Sequence, residues 1–171
     1  FFDARRKRRL LDTRRGLDSL AALGWRDFER LVGEAYRRRG YAVEETGLGG
    51  ADGGIDLILH RDGKRTLVQC KQWRRDKVPV NVVREMFGLM AHHQADAVRI
   101  AALGGFTADA AHFVEGKPIE LIDGETLLEM IRAVQAAGVA PSRNVEPMMD
   151  HSVESSSPSC PACKAAMVRR T

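Results

Sequence analysis

Two β-rich runs, residues 55–60 and 66–73, flank the tetrapeptide Arg61-Asp62-Gly63-Lys64. Asp and Gly tolerate the positive φ angles that a type I′ turn requires, so an Asp-Gly pair between two such runs is a strong local signal for a β-hairpin. A two-residue loop at this point places Asp56 directly opposite Gln69. The turn therefore predicts a pair of antiparallel strands and also their register.

The predicted register clusters three polar side chains on one face of the hairpin. Successive side chains of a strand point to opposite faces, so Asp56, Gln69 and Lys71 share one face of the sheet. Directly opposed Cβ atoms lie about 5 Å apart, and diagonal neighbours remain within reach of a lysine. The other face is apolar and carries Leu57, Leu59, Val68 and Cys70. The hairpin is thus predicted to cluster a carboxylate, an amide and an ammonium group. A structural ion pair between Asp56 and Lys71 is the alternative interpretation.

A predicted amphipathic helix, residues 25–39, adds a second carboxylate. Gly40 follows the helix at a C-cap position. The predicted apolar stripe consists of Trp25, Phe28, Val32, Ala35 and Tyr36. Glu29 falls within this stripe, where a carboxylate is costly unless it meets a cation or a metal ion; a rotated helix would instead place it on the surface. Two carboxylates and an amide oxygen around one point suit a hard divalent cation.

The remaining periodicity predicts an α/β domain. The further predicted elements are strand 41–46, helix 80–92, strand 97–103, a helix capped by Thr107 that extends to residue 114, strand 119–122 and helix 125–137. The resulting order is α-β-β-β-α-β-α-β-α. Alternation in the second half requires crossover connections, which predicts a mixed sheet that is partly parallel.

Several segments, in this order, resemble the catalytic domain of Mrr-type restriction endonucleases. Asp56 followed one strand later by Gln69-Cys70-Lys71 resembles the D…(D/E/Q)xK signature of the PD-(D/E)xK nuclease superfamily. The further matching segments are Trp25-Arg26-Asp27-Phe28-Glu29, Gly53-Gly54-Ile55-Asp56, Val68-Gln69-Cys70-Lys71-Gln72-Trp73, Gly105-Phe106-Thr107 and Leu121-Ile122-Asp123-Gly124-Glu125. The resemblance covers about residues 20–135 and implies a restriction-endonuclease-like three-layer α/β/α fold.

The resemblance also implies an activity: Mg²⁺- or Mn²⁺-dependent hydrolysis of DNA phosphodiester bonds, with modified (methylated) DNA as a candidate substrate in restriction and defence. Asp56 would bind the metal ion together with the Gln69 side chain and the Cys70 backbone carbonyl. Lys71 would orient or deprotonate the attacking water, and Glu29 would hold a metal-bound water or a second ion. Two departures stand out: Ile55 replaces the usual proline, and Gln69 replaces the second carboxylate, as in many Mrr-type members.

Two other functions remain open from the sequence. One is a structure-specific or end-processing DNA nuclease on the same fold, and the other is a DNA-binding module whose active site has decayed. The segment after the hairpin is basic and aromatic, with Trp73, Arg74, Arg75 and Lys77, and it could contact DNA phosphates or form a solvated loop. Double-stranded DNA and a second copy of the chain are the partners expected.

The leading end of the chain, residues 1–23, is a basic lead-in to a nuclease domain predicted for residues 24–137. Residues 1–40 contain 12 Lys and Arg against six Asp and Glu, in a chain whose net charge is +4. Such a segment suits a phosphate backbone or an anionic membrane surface, or serves solubility alone. It would also suit the cytoplasmic flank of a membrane anchor before Phe1, with the domain itself in the cytoplasm.

The C-terminal end contains a predicted linker, residues 138–159, and a short tail, residues 160–171. Cys160 and Cys163 form a CxxC in the tail that resembles the first knuckle of a topoisomerase-type zinc ribbon. A structural Zn²⁺ needs four ligands, so either a second knuckle completes the site or the tail is unstructured. Three cysteines without secretory features argue against a disulfide framework and favour a reducing, cytoplasmic setting.

Overall fold

Five strands form one mixed sheet in the order β1-β2-β3-β4-β5 in the computed structural model, which describes residues 2–46 and 54–139. The strands are β1 (Ala42–Glu45), β2 (Leu57–Arg61), β3 (Lys64–Lys71), β4 (Ala97–Ala102) and β5 (Ile119–Ile122). The helices are α1 (Phe2–Asp12), α2 (Leu17–Ala21), α3 (Trp25–Arg38), α4 (Val80–His92), α5 (Ala108–Phe113) and α6 (Gly124–Val139). From α3 onward, the order of elements is the one that the sequence predicts.

The hairpin of β2 and β3 has the predicted turn. Asp62 and Gly63 have φ angles of 52° and 74°, as a type I′ turn requires. The strands pair antiparallel, from Arg61 opposite Lys64 to Leu57 opposite Val68. The predicted register is confirmed from Leu57 to Arg61, but the predicted pair of Asp56 and Gln69 lies outside the ladder, and the Asp56 N–H instead donates to the Val68 carbonyl.

The second half of the sheet is parallel. β3 pairs with β4 and β4 with β5 in parallel, through crossovers that contain α4 and α5. Thr107 begins α5 as predicted, because its hydroxyl accepts a hydrogen bond from the backbone N–H of Ala110 at 3.3 Å. The predicted restriction-endonuclease-like α/β architecture with a mixed sheet is therefore confirmed.

Each face of the sheet has its own apolar core. The core on the first face joins α1, α2, α3 and α6 to the sheet; its largest buried side chains are Leu11, Leu20, Phe28, Leu31, Tyr36, Leu57, Leu59, Leu127 and Ile131. The core on the second face lies under α4 and α5 and includes Ile58, Leu67, Val83, Met86, Val98 and Ile100. Helices cover both faces, which gives the three layers.

The buried face of α3 differs from the prediction at one position. Phe28, Leu31, Val32, Ala35 and Tyr36 are buried as a helical stripe. Trp25 is 49% exposed, so its assignment to that stripe was wrong. Trp25 is the first residue of α3 and lines an open cleft that also contains Asp56.

The basic lead-in is part of the packed structure. Leu11 of α1 and Leu20 of α2 are completely buried in the core of the first face. The side-chain amide of Gln135 on α6 donates hydrogen bonds to the backbone carbonyls of Leu11 and Arg14, at 2.6 and 2.8 Å. Burial of a leucine side chain contributes about 1.5–3 kcal/mol to stability. We infer that α1 and α2 help to hold α3 and α6 in place.

Several sequence predictions fall on residues that the structure does not describe. Cys160 and Cys163 of the predicted zinc knuckle lie outside the described residues, as does most of the predicted linker; residues 138 and 139 continue α6. Across residues 2–46 and 54–139, no helix combines the length and the apolar character needed to cross a bilayer. Zinc binding and a membrane anchor therefore stay predictions.

Candidate active site

Asp56 lies directly before β2 and is held there by hydrogen bonds with the backbone groups of three other residues. Its N–H donates to the carbonyl of Val68 at 2.9 Å, and its own carbonyl accepts from the N–H of Thr46 at 3.2 Å. The carboxylate oxygen Oδ2 accepts from the N–H of Cys70 at 2.6 Å. Two of these bonds cross to β3, so the Asp56 carboxylate is fixed at the point where the strands of the hairpin separate.

Gln69 on β3 presents a buried oxygen that has no partner. Its side chain is only 5% exposed. Its Oε1 accepts no hydrogen bond from any described residue. Leaving a buried acceptor unsatisfied costs about 1–3 kcal/mol, so such an atom needs an explanation. A cation bound beside Asp56 would supply the missing partner.

Gly54 permits the position of Gln69. A Cβ atom on Gly54 would lie 2.6 Å from Gln69 Nε2, and Gly54 has a φ angle of +92°, where a side chain is strained. We therefore expect Gly54→Ala to displace Gln69 and to lower the rate of any reaction catalysed in this cleft by about 10²-fold, as misplacement by about 1 Å can do. Gly88→Ala is the matched control, because Gly88 has open space around its Cβ position. Equal rates for the two variants would contradict the role given to Gly54.

Glu29 reaches the site from α3, where it is half-buried. Burial, the charge of Asp56 and a hydrogen bond with Asp56 raise the pKa of Glu29 from its ordinary value of 4.5 to about 7. Burial also raises the pKa of Asp56, although the Cys70 N–H and the Lys71 charge oppose this change. The Glu29 carboxyl group therefore holds a proton beside Asp56 near neutral pH when no cation is bound. A divalent cation would allow both to be ionised.

The raised pKa of Glu29 predicts a pH-dependent cost to stability. The unfolded chain releases this proton near pH 4.5 and the folded chain near pH 7, so the free energy of unfolding falls as the pH rises between these values. Glu29→Gln should therefore be more stable than the wild type by about 1–2 kcal/mol at pH 8 in EDTA, allowing for solvent screening. The difference should vanish near pH 4. Urea denaturation at both pH values measures it.

A matched glutamate provides the control for this prediction. Glu85 is exposed on α4, far along the chain from the candidate site. Glu85→Gln should not reproduce the pH-dependent gain in stability. A Glu29→Gln variant that is less stable than the wild type at pH 8 would show that Glu29 makes a favourable ionised contact instead.

Lys71 completes the set from the end of β3. It is half-buried, and its charge lowers the pKa of Asp56. Its Nζ lies 5.4 Å from the centre of the Trp73 ring. No ion pair within 4.0 Å joins Lys71 to Asp56, although the structure describes both residues. The alternative interpretation, a structural cross-strand ion pair, therefore has no direct contact to support it.

One open cleft of about 480 Å³ contains the whole set. Its lining residues are Trp25, Glu29, Gly54, Asp56, Gln69, Cys70, Lys71, Gln72 and Trp73. The structure thus brings together Glu29, Asp56, Gln69 and Lys71, the residues that sequence analysis selected. The cleft lies where β2 begins and β3 ends, and there a side chain from α3 can reach residues of the hairpin.

Sequence analysis missed the role of Gln72. Its side-chain amide donates to the backbone carbonyls of Leu20, at 3.3 Å, and Leu23. Gln72 directly follows Lys71, so these hydrogen bonds link the end of β3 to α2. A polar side chain on the same strand face as Val68 and Cys70 was the available signal, but its partners lie about 50 positions earlier in the chain.

The basic segment after β3 has exposed side chains, and its backbone packs against Gly104. Trp73, Arg74, Arg75 and Lys77 are all exposed. A Cβ atom on Gly104 would lie 2.7 Å from the carbonyl oxygen of Trp73, so the absence of a side chain at Gly104 allows this segment to pack against the end of β4. Arg74 also forms an ion pair with Asp18 of α2. The positive groups are therefore presented to solvent beside the cleft.

The donor atoms of the cleft fit a hard cation. No group of three or more His, Cys, Asp and Glu side chains suited to a metal occurs within the described part of the chain. The cleft instead combines the carboxylates of Asp56 and Glu29 with the unpartnered Oε1 of Gln69. All of these donors are oxygens, and Mg²⁺ typically uses only one or two carboxylates in addition to water and substrate oxygens.

Comparison with protein families identifies the domain. A family model described as "Restriction endonuclease", the Mrr catalytic domain, matches residues 20–131. The chain belongs to this family. The match spans α3 through the first half of α6 and includes every residue of the candidate site.

The Mrr-type domain is also similar to a curated protein. "Uncharacterized protein y4cE" of Sinorhizobium fredii (strain NBRC 101917 / NGR234) is 33% identical over 98 residues, which cover 54% of this chain and 25% of that protein. The chain thus spans about a quarter of the length of this curated relative.

Two solved structures share the fold. "DNA modification-dependent restriction endonuclease AspBHI" is 16% identical, with a TM-score of 0.55 over 79% of this chain and 36% of that one. "Protein of Unknown Function AF1548" is 18% identical, with a TM-score of 0.51 over 59% of this chain and 63% of that one. At these identities the likeness shows the fold alone.

Proposed function

We propose that this Mrr-type domain is a divalent-metal-dependent endonuclease that hydrolyses phosphodiester bonds of DNA. The observation that carries the proposal is the unpartnered Oε1 of buried Gln69, in the same cleft as Asp56, Glu29 and Lys71. A carboxylate, an amide oxygen and a lysine in one cleft suit phosphodiester hydrolysis, which needs charge neutralisation and a positioned water.

Asp56, Gln69 and the backbone carbonyl of Cys70 would hold the cation, Mg²⁺ or Mn²⁺. Such a cation supplies Lewis acidity toward the phosphate and favours ionisation of water. Lys71 would orient or deprotonate the attacking water and offset the negative charge that grows on the phosphate. Glu29, which binds a proton near neutral pH beside Asp56, would accept a proton or hold a water molecule.

The surroundings of the cleft favour a polyanionic substrate. Arg74, Arg75 and Lys77 are exposed after β3, and Arg26 and Arg30 line an adjoining cavity of about 130 Å³ that also contains Asp56. Cations that contact phosphates contribute binding energy that falls steeply as the salt concentration rises. We propose double-stranded DNA as the general partner. Modified DNA is a further candidate because AspBHI, which shares the fold, is named for that dependence.

A decayed DNA-binding module is the weaker alternative. In the metal-free protein, burial and the charge of Asp56 raise the pKa of Glu29 and make its ionised form costly, and Gln69 adds an unsatisfied oxygen. In a module that only binds DNA, no bound metal ion would offset these energetic costs. The arrangement is consistent with a working metal site. A homodimer, a cytoplasmic location and zinc binding stay predictions.

Cleavage of supercoiled plasmid tests the proposal. We expect nicked and linear products with Mg²⁺ or Mn²⁺ and none with EDTA. Methylated and unmethylated plasmids, compared at equal concentration, test the dependence on modification. Cleavage that is insensitive to chelation would contradict the metal mechanism, and binding without cleavage on every substrate would support the decayed module.

A further inference from the structure

Both tryptophans of the chain lie at the candidate active site with much of their surface exposed. The chain contains only Trp25 and Trp73, and both line the cleft that contains Asp56 and Lys71. Trp25 is 49% exposed and Trp73 is 44% exposed. Leu17, at 36%, is the remaining large exposed hydrophobic side chain among the described residues. Two exposed indole rings at one cleft indicate a binding surface and not a folding requirement.

Each ring has a cation over it. The guanidinium carbon of Arg26 lies 5.0 Å from the centre of the Trp25 ring, and Lys71 Nζ lies 5.4 Å from the centre of the Trp73 ring. An aromatic ring has two faces, so a cation on one face leaves the other available for stacking. Each cation also lies close enough to attract a phosphate next to a base that stacks on the ring.

The two rings are held by separate, well-supported elements. Trp25 begins α3, whose first turn is closed by the hydrogen bond from Phe28 N–H to the Gly24 carbonyl at 2.9 Å. Trp73 lies in the segment that packs closely against Gly104, next to Gln72. The rings are therefore presented by a helix start and a strand exit that meet at the same cleft.

Bases inside a duplex already stack on their neighbours, so their faces cannot reach a tryptophan beside the reacting phosphate. Unpaired bases can do so, and every base has a suitable face. We propose that Trp25 and Trp73 are stacking sites for unpaired bases, and that the preferred substrate is double-stranded DNA that carries a single-stranded segment at the cleavage site. This inference rests on the proposed function and specifies its substrate class.

Tryptophan fluorescence tests the proposal without cleavage, because the two rings are the only indoles in the chain. The full chain in EDTA is titrated with an oligothymidylate of about 12 nucleotides, a length within known single-strand site sizes, and with a blunt two-stranded DNA duplex of similar charge. We expect the oligothymidylate to quench the emission and to bind more tightly than the duplex.

Variants assign the effect to each ring. Trp25→Ala and Trp73→Ala should each lose roughly 5- to 100-fold in affinity for the oligothymidylate, the range typical of removing one stacked aromatic side chain. Trp25→Phe and Trp73→Phe should retain most of the affinity, and each leaves a single indole to report quenching at the other position. Affinity for the blunt duplex, measured by fluorescence anisotropy, should change much less in all four variants.

The outcomes separate this proposal from the proposed function. Equal affinity and quenching for both DNAs would overturn the stacking proposal, as would an equal loss for both DNAs in the alanine variants. Quenching by neither DNA would also overturn it, and a protein partner would then be the candidate that covers the exposed rings. Preferential single-strand binding without any cleavage in Mg²⁺ would remove the proposed function but keep the stacking sites. Cleavage of plasmid by a protein that shows no preference for single-stranded DNA would keep the proposed function and remove the stacking sites.

Discussion

Asp56→Asn should reduce DNA cleavage by at least about 10³-fold, because it removes the carboxylate that would bind the cation most directly; this loss corresponds to on the order of 4 kcal/mol of transition-state stabilisation. Asn retains an oxygen that can accept the hydrogen bond from the Cys70 N–H, so the hairpin should remain intact. Single-turnover cleavage of plasmid in Mg²⁺ measures the loss. Circular dichroism should show an unchanged secondary structure.

Thermal unfolding provides a second readout for the same variant. A ligand that binds only the folded state raises its stability in proportion to the logarithm of the ligand concentration. Mg²⁺ should therefore raise the melting temperature of the wild type and leave that of Asp56→Asn nearly unchanged. Asp62→Asn is the matched control, because Asp62 is exposed in the hairpin turn and Asn also tolerates its φ angle of 52°. An Asp56→Asn rate within tenfold of the wild type would contradict the account.

Lys71→Ala should abolish metal-dependent cleavage and leave DNA binding largely intact. Orientation or deprotonation of a water by a positioned side chain typically contributes about 10²- to 10⁴-fold to a rate, and Lys71 is the half-buried cation in the cleft. We expect several exposed cations to share the binding of DNA, so the loss of one charge should weaken it only modestly. Cleavage of plasmid and binding of DNA in Ca²⁺ or EDTA give the two readouts.

Two further lysine variants sharpen this prediction. Lys64→Ala, at the exposed beginning of the same strand, should leave the cleavage rate unchanged. Lys71→Arg keeps the charge but cannot release a proton near neutral pH, so residual activity would assign Lys71 an electrostatic role and its absence a role as a base. Cleavage by Lys71→Ala at the wild-type rate would exclude Lys71 from the mechanism.

The hairpin was predictable because its determinants are local. Asp62 and Gly63 specify the turn, and the turn length specifies the register. Once the register is known, alternation along the strands brings Gln69 and Lys71 to one face beside Asp56. The cluster thus follows from residues within about a dozen positions of the turn. Helices α4 and α5 were similarly predictable from their periodicity and from the Thr107 cap.

Two features were not predictable because they depend on where elements end. Periodicity indicates which residues share a helix face, but it does not show where the opposing surface stops, and Trp25 extends past it into the cleft. The predicted second strand begins at residue 55, but β2 begins at Leu57. Asp56 lies just before the ladder, where its N–H donates to the Val68 carbonyl and its carboxylate accepts the hydrogen bond from the Cys70 N–H.

Long-range contacts of the site were also beyond sequence analysis. Gln72 donates to the carbonyls of Leu20 and Leu23, and neither partner carries a sequence signal, because any residue has a backbone carbonyl. Gly54 and Gly104 are needed because a side chain and a backbone segment approach them closely. Such approaches arise only when distant parts of the chain pack together, and no local pattern reports them.

The central claim is that Asp56, Gln69 and the Cys70 carbonyl form one divalent-cation site, and locating a bound cation tests it most directly. Mn²⁺ can replace Mg²⁺ at oxygen ligands, and its anomalous X-ray scattering identifies it in a crystal. The account predicts that the strongest anomalous peak lies in direct contact with Asp56 and Gln69 Oε1, and that it disappears in Asp56→Asn. A saturating Mn²⁺ soak that leaves this position empty and places the ion elsewhere would contradict the account.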